Sequence, residues 1–355
     1  MNEFIDIKYW WSKIDKINFL LILLLLLIGI ILSFSLNDSY LFFNKHLIFS
    51  IIGIFIMIFL SSFDVKFLRR LSLFSIIICI FILFLILFLD YEVKGSKRWL
   101  KLFNFSIQPS EFIKPFFILL SAWFITQGVN GRNSYLIILV FFFVTICGLT
   151  ILQPDFGMTF LISVTFFCQL FIAGLSIFLV VFAIVCLLML SVTSYYYFDH
   201  VKKRLDTFLN PESDTYQIDL SLRSFQSGGL FGKGPGRGTL KERIPDANTD
   251  FIFAVAGEEL GFIFCSLIVL LILVIIVRFL LKLLKMKSPF EIIAIVGLTS
   301  SFGLQSLFNI FSSLALIPTK GMTLPFVSYG GSSMISSAVL FGFLLSLTKK
   351  NHAER

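Results

Sequence analysis

Ten stretches of roughly twenty apolar residues run through this chain, and a helix needs about that length to cross ~30 Å of hydrocarbon. They fall at 17–36, 41–62, 71–89, 111–127, 135–152, 158–174, 176–193, 251–277, 290–316 and 332–347. Backbone N–H and C=O groups in lipid must be satisfied within the segment, so the runs are read as helices and not as open strands. The expected fold class is an all-α polytopic membrane protein with ten transmembrane helices. No repeat or low-complexity linker divides it, so residues 1–355 are expected to form a single membrane domain. Hydrophobic residues make up 57% of the chain and charged ones 14%, which excludes the soluble classes. The first apolar run is long enough to span and is read as a span, not as a cleaved signal. The five cysteines lie inside apolar runs at spacings that suit neither metal nor disulfide, so they read as small hydrophobes.

An even number of spans places both termini on one side. Lys8, Lys13, Lys16, Lys66, Arg69, Arg70, Arg132, Arg278, Lys282, Lys285, Lys287, Lys349, Lys350 and Arg355 then share that side, which is cytoplasmic by the positive-inside rule. Residues 1–16 and 348–355 are the expected cytoplasmic ends, and 90–110 and 194–250 the expected extracytoplasmic loops. The shorter of these loops breaks the rule, carrying Lys94, Lys97, Arg98 and Lys101. Two readings stand side by side: the basic residues hold an anionic ligand on the outer face, or they touch anionic headgroups.

The long loop between the seventh and eighth spans is polar, basic and Gly-rich, and it closes on Asn248-Thr249-Asp250-Phe251. It is the one place where sizeable chemistry can be held outside the bilayer. A carboxylate there is a candidate for acting on a lipid-linked substrate. Asp250 also precedes an apolar helix, where Asp, Asn and Thr are preferred caps, so capping is its plain structural reading.

Several blocks carry a resemblance. Gly95-Ser96-Lys97-Arg98-Trp99 is followed by Gln108-Pro109-Ser110-Glu111 and Lys114, then by Gln153-Pro154-Asp155-Phe156-Gly157 and by Arg204 with Phe208 and Pro211. Tyr216-Gln217, Gly228-Gly229-Leu230-Phe231-Gly232, Pro245-Asp246-Ala247-Asn248-Thr249-Asp250-Phe251 and Gly257-Glu258-Glu259-Leu260-Gly261 come next. The last and most specific block runs from Pro318-Thr319-Lys320-Gly321 through Ser328-Tyr329-Gly330-Gly331 to Ser333. In order and across nearly the whole chain, these blocks resemble the SEDS family (shape, elongation, division and sporulation proteins). The form of the closing block is similar to the division branch more than to the elongation branch. One departure stands out: members usually carry His before Thr-Asp, where this chain has Asn248, so a His-Asp dyad is not expected.

The resemblance implies a peptidoglycan glycosyltransferase that polymerises lipid II at the outer face of the bacterial inner membrane, at the division septum. It implies a class B penicillin-binding protein as partner, alongside other division proteins and membrane lipids; no nucleic-acid partner is expected. In such chemistry a sugar hydroxyl attacks a C1 linked to diphosphate. The leaving group needs cations, not a proton donor, while the acceptor gains about 10²–10⁴-fold from a general base. One carboxylate with a basic cluster is therefore enough, unlike the paired carboxylates of most glycosidases. Asp250 is the expected catalytic residue. Lys97, Arg98, Trp99, Glu111, Lys114, Asp155, Arg204, Gln217, Glu258, Glu259, Lys320 and Ser328 are the expected substrate-binding residues. The sequence is silent on whether a divalent metal assists: Asp250 is able to hold Mg²⁺ or Mn²⁺ against a diphosphate, and a cation keeping most of its waters leaves little trace in sequence. A flippase or transporter would instead place polar residues near the midplane on broken helices, and a pure scaffold would not need the grouped Arg, Trp and Asp.

Bland readings accompany the other residues. Trp99 is equally an interfacial anchor, and Glu111 with Lys114 is an i, i+3 ion pair. Glu258 and Glu259, about 100° apart on a helix, are not expected to share one cavity wall: one is read as facing the site and the other as paired. The Gly228–Gly236 stretch is expected to be mobile until a partner orders it.

Overall fold

The computed structural model describes residues 7–36, 39–89, 98–102, 105–174, seven single positions between 178 and 206, 216–318 and 321–349. Helices dominate: α1 Ile7–Lys13, α2 Lys16–Ser35, α3 Ser39–Ser62, α4 Val65–Ile86, α5 Pro109–Val129, α6 Asn133–Leu152 and α7 Phe156–Ile172. After these come α8 Tyr216–Gly228, α9 Ile252–Leu283, α10 Pro289–Ser313 and α11 Gly331–Leu347. Seven of the described helices are long and apolar enough to cross a membrane, and α7 and α11, at 17 residues each, are shorter apolar helices. The expected span 176–193 lies outside the described residues apart from isolated positions.

Among the described residues the structure departs from an all-α reading in one place. β1 (Leu100–Leu102) and β2 (Phe105–Ile107) form an antiparallel hairpin with Leu100 opposite Ile107. It lies in the loop between α4 and α5, where no continuous apolar run imposes a helix. The boundary of α4 also differs from the 71–89 expected. Asp64 occupies its N-cap position, so Lys66, Arg69 and Arg70 belong to its first turns.

Burial separates the helices into two groups. The apolar windows of α5 and α10 are 67% and 72% buried, against 22–28% for α3, α4, α6 and α9. The first two therefore form the centre of the bundle, and the others show lipid-facing surfaces. Pro115 lies inside α5 and Lys114 is buried beside it. At the other end of the bundle Asp15 caps α2 by accepting from the Ile17 and Asn18 backbone, and it pairs with Lys282 at 2.7 Å and Arg278 at 3.3 Å. Burial raises the Asp15 carboxyl, but Lys282, the Asn18 N–H and Arg278 together more than offset it and hold the group below its usual range.

The eighth expected span is interrupted. α9 is two helices joined at Gly261, whose φ of 77° and ψ of −179° belong to neither. Residues 252–259 are buried by protein, whereas Phe262, Ile263, Leu267, Leu270 and Leu273 begin a run of exposed apolar side chains. From Phe262 to Leu283 the helix covers about 33 Å at 1.5 Å per residue, enough for a bilayer by itself. The part before the break is packed inside protein.

A break in a helix frees backbone groups, and here the loop after α8 takes them. Lys233 and Gly234 N–H donate to the Glu258 and Glu259 carbonyls at 3.0 and 2.9 Å. Phe262 and Ile263 N–H donate to the Gly229 and Leu230 carbonyls at 2.9 and 3.2 Å. The fit is tight: a Cβ on Gly232 (φ 78°) would stand 2.2 Å from the Glu259 carbonyl oxygen. Gly229, at φ 59°, has nothing within 4 Å of such an atom. Gly229→Ala is expected to cost about 1–2 kcal/mol through left-handed backbone alone. Gly232→Ala adds a clash with main chain that no rotamer relieves, for an expected loss upwards of about 3 kcal/mol. Thermal unfolding of the two detergent-solubilised variants checks the order.

Candidate active site

Asp250 lies two residues before the first helical residue of α9, and the cap position is held by Phe251, which makes no side-chain cap bond. The cap reading raised by sequence therefore does not describe its place. Instead the segment is stitched to the closing block between α10 and α11. Ser328 Oγ donates to the Thr249 carbonyl at 2.6 Å, Tyr329 N–H donates to the Asn248 carbonyl at 2.8 Å, and Leu324 N–H donates back to Ser328 Oγ at 2.8 Å. Gly321, at φ 63°, brings the start of that block close enough that a Cβ there would sit 3.3 Å from Asp250 Oδ2. The carboxylate is half-buried.

Two side chains one turn apart on α10 hold this arrangement from below. Asn309 Nδ2 donates to the carbonyls of Met322 (2.7 Å) and Asp250 (2.9 Å). Gln305 Nε2 donates to the Thr323 carbonyl at 3.1 Å, and its Oε1 accepts from Lys114 Nζ at 2.5 Å. Lys114 completes a pair with Glu111 at 2.6 Å, both buried on α5. Charged and amide groups are costly this far inside an apolar bundle unless they pair, and these do apart from Asn309 Oδ1, which has no partner among the described residues. The Lys114 ammonium is thus linked through Gln305 and Thr323 to the block that meets Asp250.

The hairpin between α6 and α7 forms a second wall. Asp155 caps α7 through Met158 N–H, and its Oδ2 accepts from Gln108 Nε2 (3.1 Å) and Ser110 Oγ (3.2 Å). Arg98 lies 3.4 Å from Asp155 Oδ1 and also donates to the Gln153 and Pro154 carbonyls. Gln108 N–H in turn donates to Ser332 Oγ at 3.0 Å, and Ser336 Oγ donates to the Glu111 carbonyl at 2.6 Å. Arg98, Asp155, Glu111, Lys114 and the start of α11 therefore form one hydrogen-bonded assembly.

Glu258 and Glu259 are placed differently from a reading in which one faces the site. Glu258 accepts from Lys233 Nζ at 2.9 Å and from the backbone N–H of Thr239, Leu240 and Lys241 at 2.8–3.2 Å. Glu259 pairs with buried Lys241 at 2.7 Å and accepts from Ser35 Oγ. Both carboxylates dock the 233–241 loop, and the Gly228–Gly236 stretch is bound down against α9. Trp99 is half-buried just before β1, and Gln217 lies half-buried in the first turn of α8. Lys97, Arg204 and Lys320 lie outside the described residues.

Sequence reasoning missed Gln305, Asn309, Ser332, Ser336, Ser35 and Lys241. A signal existed for the first two: amides at i and i+4 within an apolar run share a face and are costly in lipid unless employed. Lys241 carried none, since one more lysine in a basic loop gives no hint of burial.

The architecture and this assembly define a multi-pass membrane protein with a network of buried ion pairs and hydrogen bonds at one end of its bundle. The chain belongs to the cell cycle protein family of FtsW, RodA and SpoVE, which matches residues 13–353. It is 37% identical to the probable peptidoglycan glycosyltransferase FtsW of Caulobacter vibrioides, covering 96% of this chain and 90% of that one. It is 33% identical to the stage V sporulation protein E of Bacillus subtilis, covering 94% and 97%. Among solved structures, a chain from a peptidoglycan synthase complex that coordinates polymerization and crosslinking superposes with a TM-score of 0.81 at 22% identity, covering 94% of this chain and 97% of that one. The rod shape determining protein RodA of Thermus thermophilus superposes with a TM-score of 0.73 at 22% identity, covering 94% and 96%.

Proposed function

We propose that this protein is a peptidoglycan glycosyltransferase that polymerises lipid II at the outer face of the bacterial inner membrane during division, with Asp250 as its catalytic carboxylate. The observation that carries the reading is the half-buried Asp250 carboxylate held against the closing block at one end of the helices. Asp250 takes the proton of the acceptor sugar hydroxyl. That oxygen bonds to C1 of the donor sugar, the C1–O bond to the diphosphate breaks, and the electron pair leaves on the diphosphate. The ten-span topology, with both termini cytoplasmic and 194–250 outside, puts this chemistry on the side where the polymer is needed.

The curated relatives named FtsW support the division role over the elongation role and over lipid transport. A transporter would use broken helices to line a midplane cavity, yet the groups freed at Gly261 are bonded by the 229–234 loop. The synthase-complex neighbour supports a class B penicillin-binding protein as partner. Among the described residues no three His, Cys, Asp or Glu side chains cluster as a metal site. A single carboxylate fits a hard divalent cation held mainly by water and the substrate diphosphate, where it would offset the leaving group's charge.

The test is polymerisation of lipid II by purified protein with and without the partner, each with and without EDTA. We expect glycan strands from the complex and at least ten-fold less from the protein alone. Absence of polymer from a folded complex supplied with lipid II and divalent cations would overturn the reading.

A further inference from the structure

One face of α3, packed behind the closing block that meets Asp250, carries two buried polar side chains whose atoms lack hydrogen-bond partners among the described residues. His46 is 1% exposed, and among the described residues neither Nδ1 nor Nε2 has a hydrogen-bond partner. Ser50, four residues on and so on the same face, is also 1% exposed, and its Oγ has no partner among the described residues. The face continues through Gly53, which packs on Met334 and Ala338 of α11. At its upper end the His46 ring lies 6.2 Å from the ring of Tyr329. Tyr329 is the residue whose N–H holds the Asn248 carbonyl, two positions from Asp250. An imidazole and a hydroxyl buried together without partners cost stability, since each forfeits its hydrogen bonds to water. An apolar pair would pack there more favourably. Such groups call for a partner that the described residues do not supply.

We propose that His46 and Ser50 form a subsite for an uncharged hydroxyl- or amide-bearing group, the acceptor sugar of the lipid-linked substrate, in the wall behind Tyr329. The proposal rests on the glycosyltransferase reading and adds a recognition element to it. The chemistry of the pair selects the ligand class. A neutral imidazole offers one donor and one acceptor, and serine offers both, which suits a sugar hydroxyl or an acetamide. Among the described residues no charged side chain bonds either group, so the diphosphate is not the part recognised. Tyr329 is half-buried, and entry of a sugar to this face would require its ring to turn away from the imidazole.

The experiment compares His46→Phe, His46→Gln and Ser50→Ala in the partner complex. Lipid II and undecaprenyl diphosphate, which lacks the sugar, serve as probes of thermal shift. His46→Phe removes both orphaned nitrogens in an apolar shape of similar size, so the ligand-free protein should melt no lower than wild type. Its KM for lipid II should rise at least ten-fold, with His46→Gln intermediate and Ser50→Ala smaller. The shift given by lipid II should shrink while that given by undecaprenyl diphosphate persists. Unchanged KM in all three variants means the pair holds only buried water and overturns the proposal. A lower ligand-free melting point with both shifts reduced alike means a structural role and overturns it too. If His46→Phe does not fold, the KM values of the other two decide. Repeating the shifts in Asp250→Asn separates the two readings, because binding needs no chemistry. An active Asp250→Asn enzyme would remove the base and leave the subsite standing, and a wild type that lipid II does not shift would sink both.

Discussion

Asp250→Asn is expected to abolish glycan polymerisation, by about 10²–10⁴-fold, while leaving folding and partner binding intact. The substitution keeps size and shape and removes the charge. Had Asp250 been the cap of α9, Asn would serve nearly as well and activity would survive. Phe251 holds that position without a capping side chain, so a loss of activity has no cap to be blamed on. The backbone contacts are also spared. The Asp250 carbonyl still accepts from Asn309 and the Asp250 N–H still donates to Asp246. Asp250→Glu should be nearly as inactive, because the added methylene moves the carboxylate by about an ångström. The measurement is strand synthesis from lipid II by the partner complex, with thermal unfolding as the control on folding. Near-normal synthesis by folded Asp250→Asn would move the chemistry elsewhere. Glu258 and Glu259 would then be poor substitutes, being committed to the 233–241 loop, and Glu111 or Asp155 would come first.

Much of the helical frame was legible because lipid imposes a length and an apolar composition that a sequence cannot hide. The spans at 17–36, 111–127 and 332–347 agree with α2, α5 and α11 within a few residues. The eighth span was harder. Its run from 251 reads as continuously apolar, and nothing in hydropathy separates residues packed in protein from residues facing lipid. Only Gly261 marked the break, and a single glycine in a helix is a weak signal. The site was legible as blocks of residue types but not as a set of contacts. Glu258 and Glu259 illustrate the limit: adjacent acids beside an outer loop fit a substrate site as well as they fit a docking site for that loop. What separates them is where Lys233 and Lys241 return in space. Those two lysines lie 17 to 26 positions upstream in sequence and are indistinguishable there from their solvated neighbours. The pairing of Ser328 and Tyr329 with residues 248 and 249 was equally hidden, since a closing block near residue 320 shows no sequence sign of meeting a loop near 250.

Lys241→Met is expected to release the 233–241 loop from α9 and to disable the enzyme without touching the proposed base. The Lys241 ammonium is almost wholly buried and sits 2.7 Å from Glu259, with the Ser35 carbonyl and hydroxyl also accepting from it. Removing one partner of such a pair strands the other, a loss of about 3–5 kcal/mol. At 1.4 kcal/mol per factor of ten, that shifts the docked loop's equilibrium by roughly 10²–10³-fold or more. The opening should be local, because Lys233 and the backbone N–H groups of 239–241 still have Glu258 and the core below is unchanged. Hydrogen exchange should therefore rise in 228–243 and at the break around Gly261, where the loop supplies the missing backbone bonds, and remain low in α5 and α10. The double variant Lys241→Met with Glu259→Gln removes both charges, and it should recover a large part of the protection that the single change loses. Equal exchange in wild type and Lys241→Met would mean the pair does not hold the loop. Loss of protection with full polymerase activity would mean that docking of the loop and catalysis at Asp250 are independent.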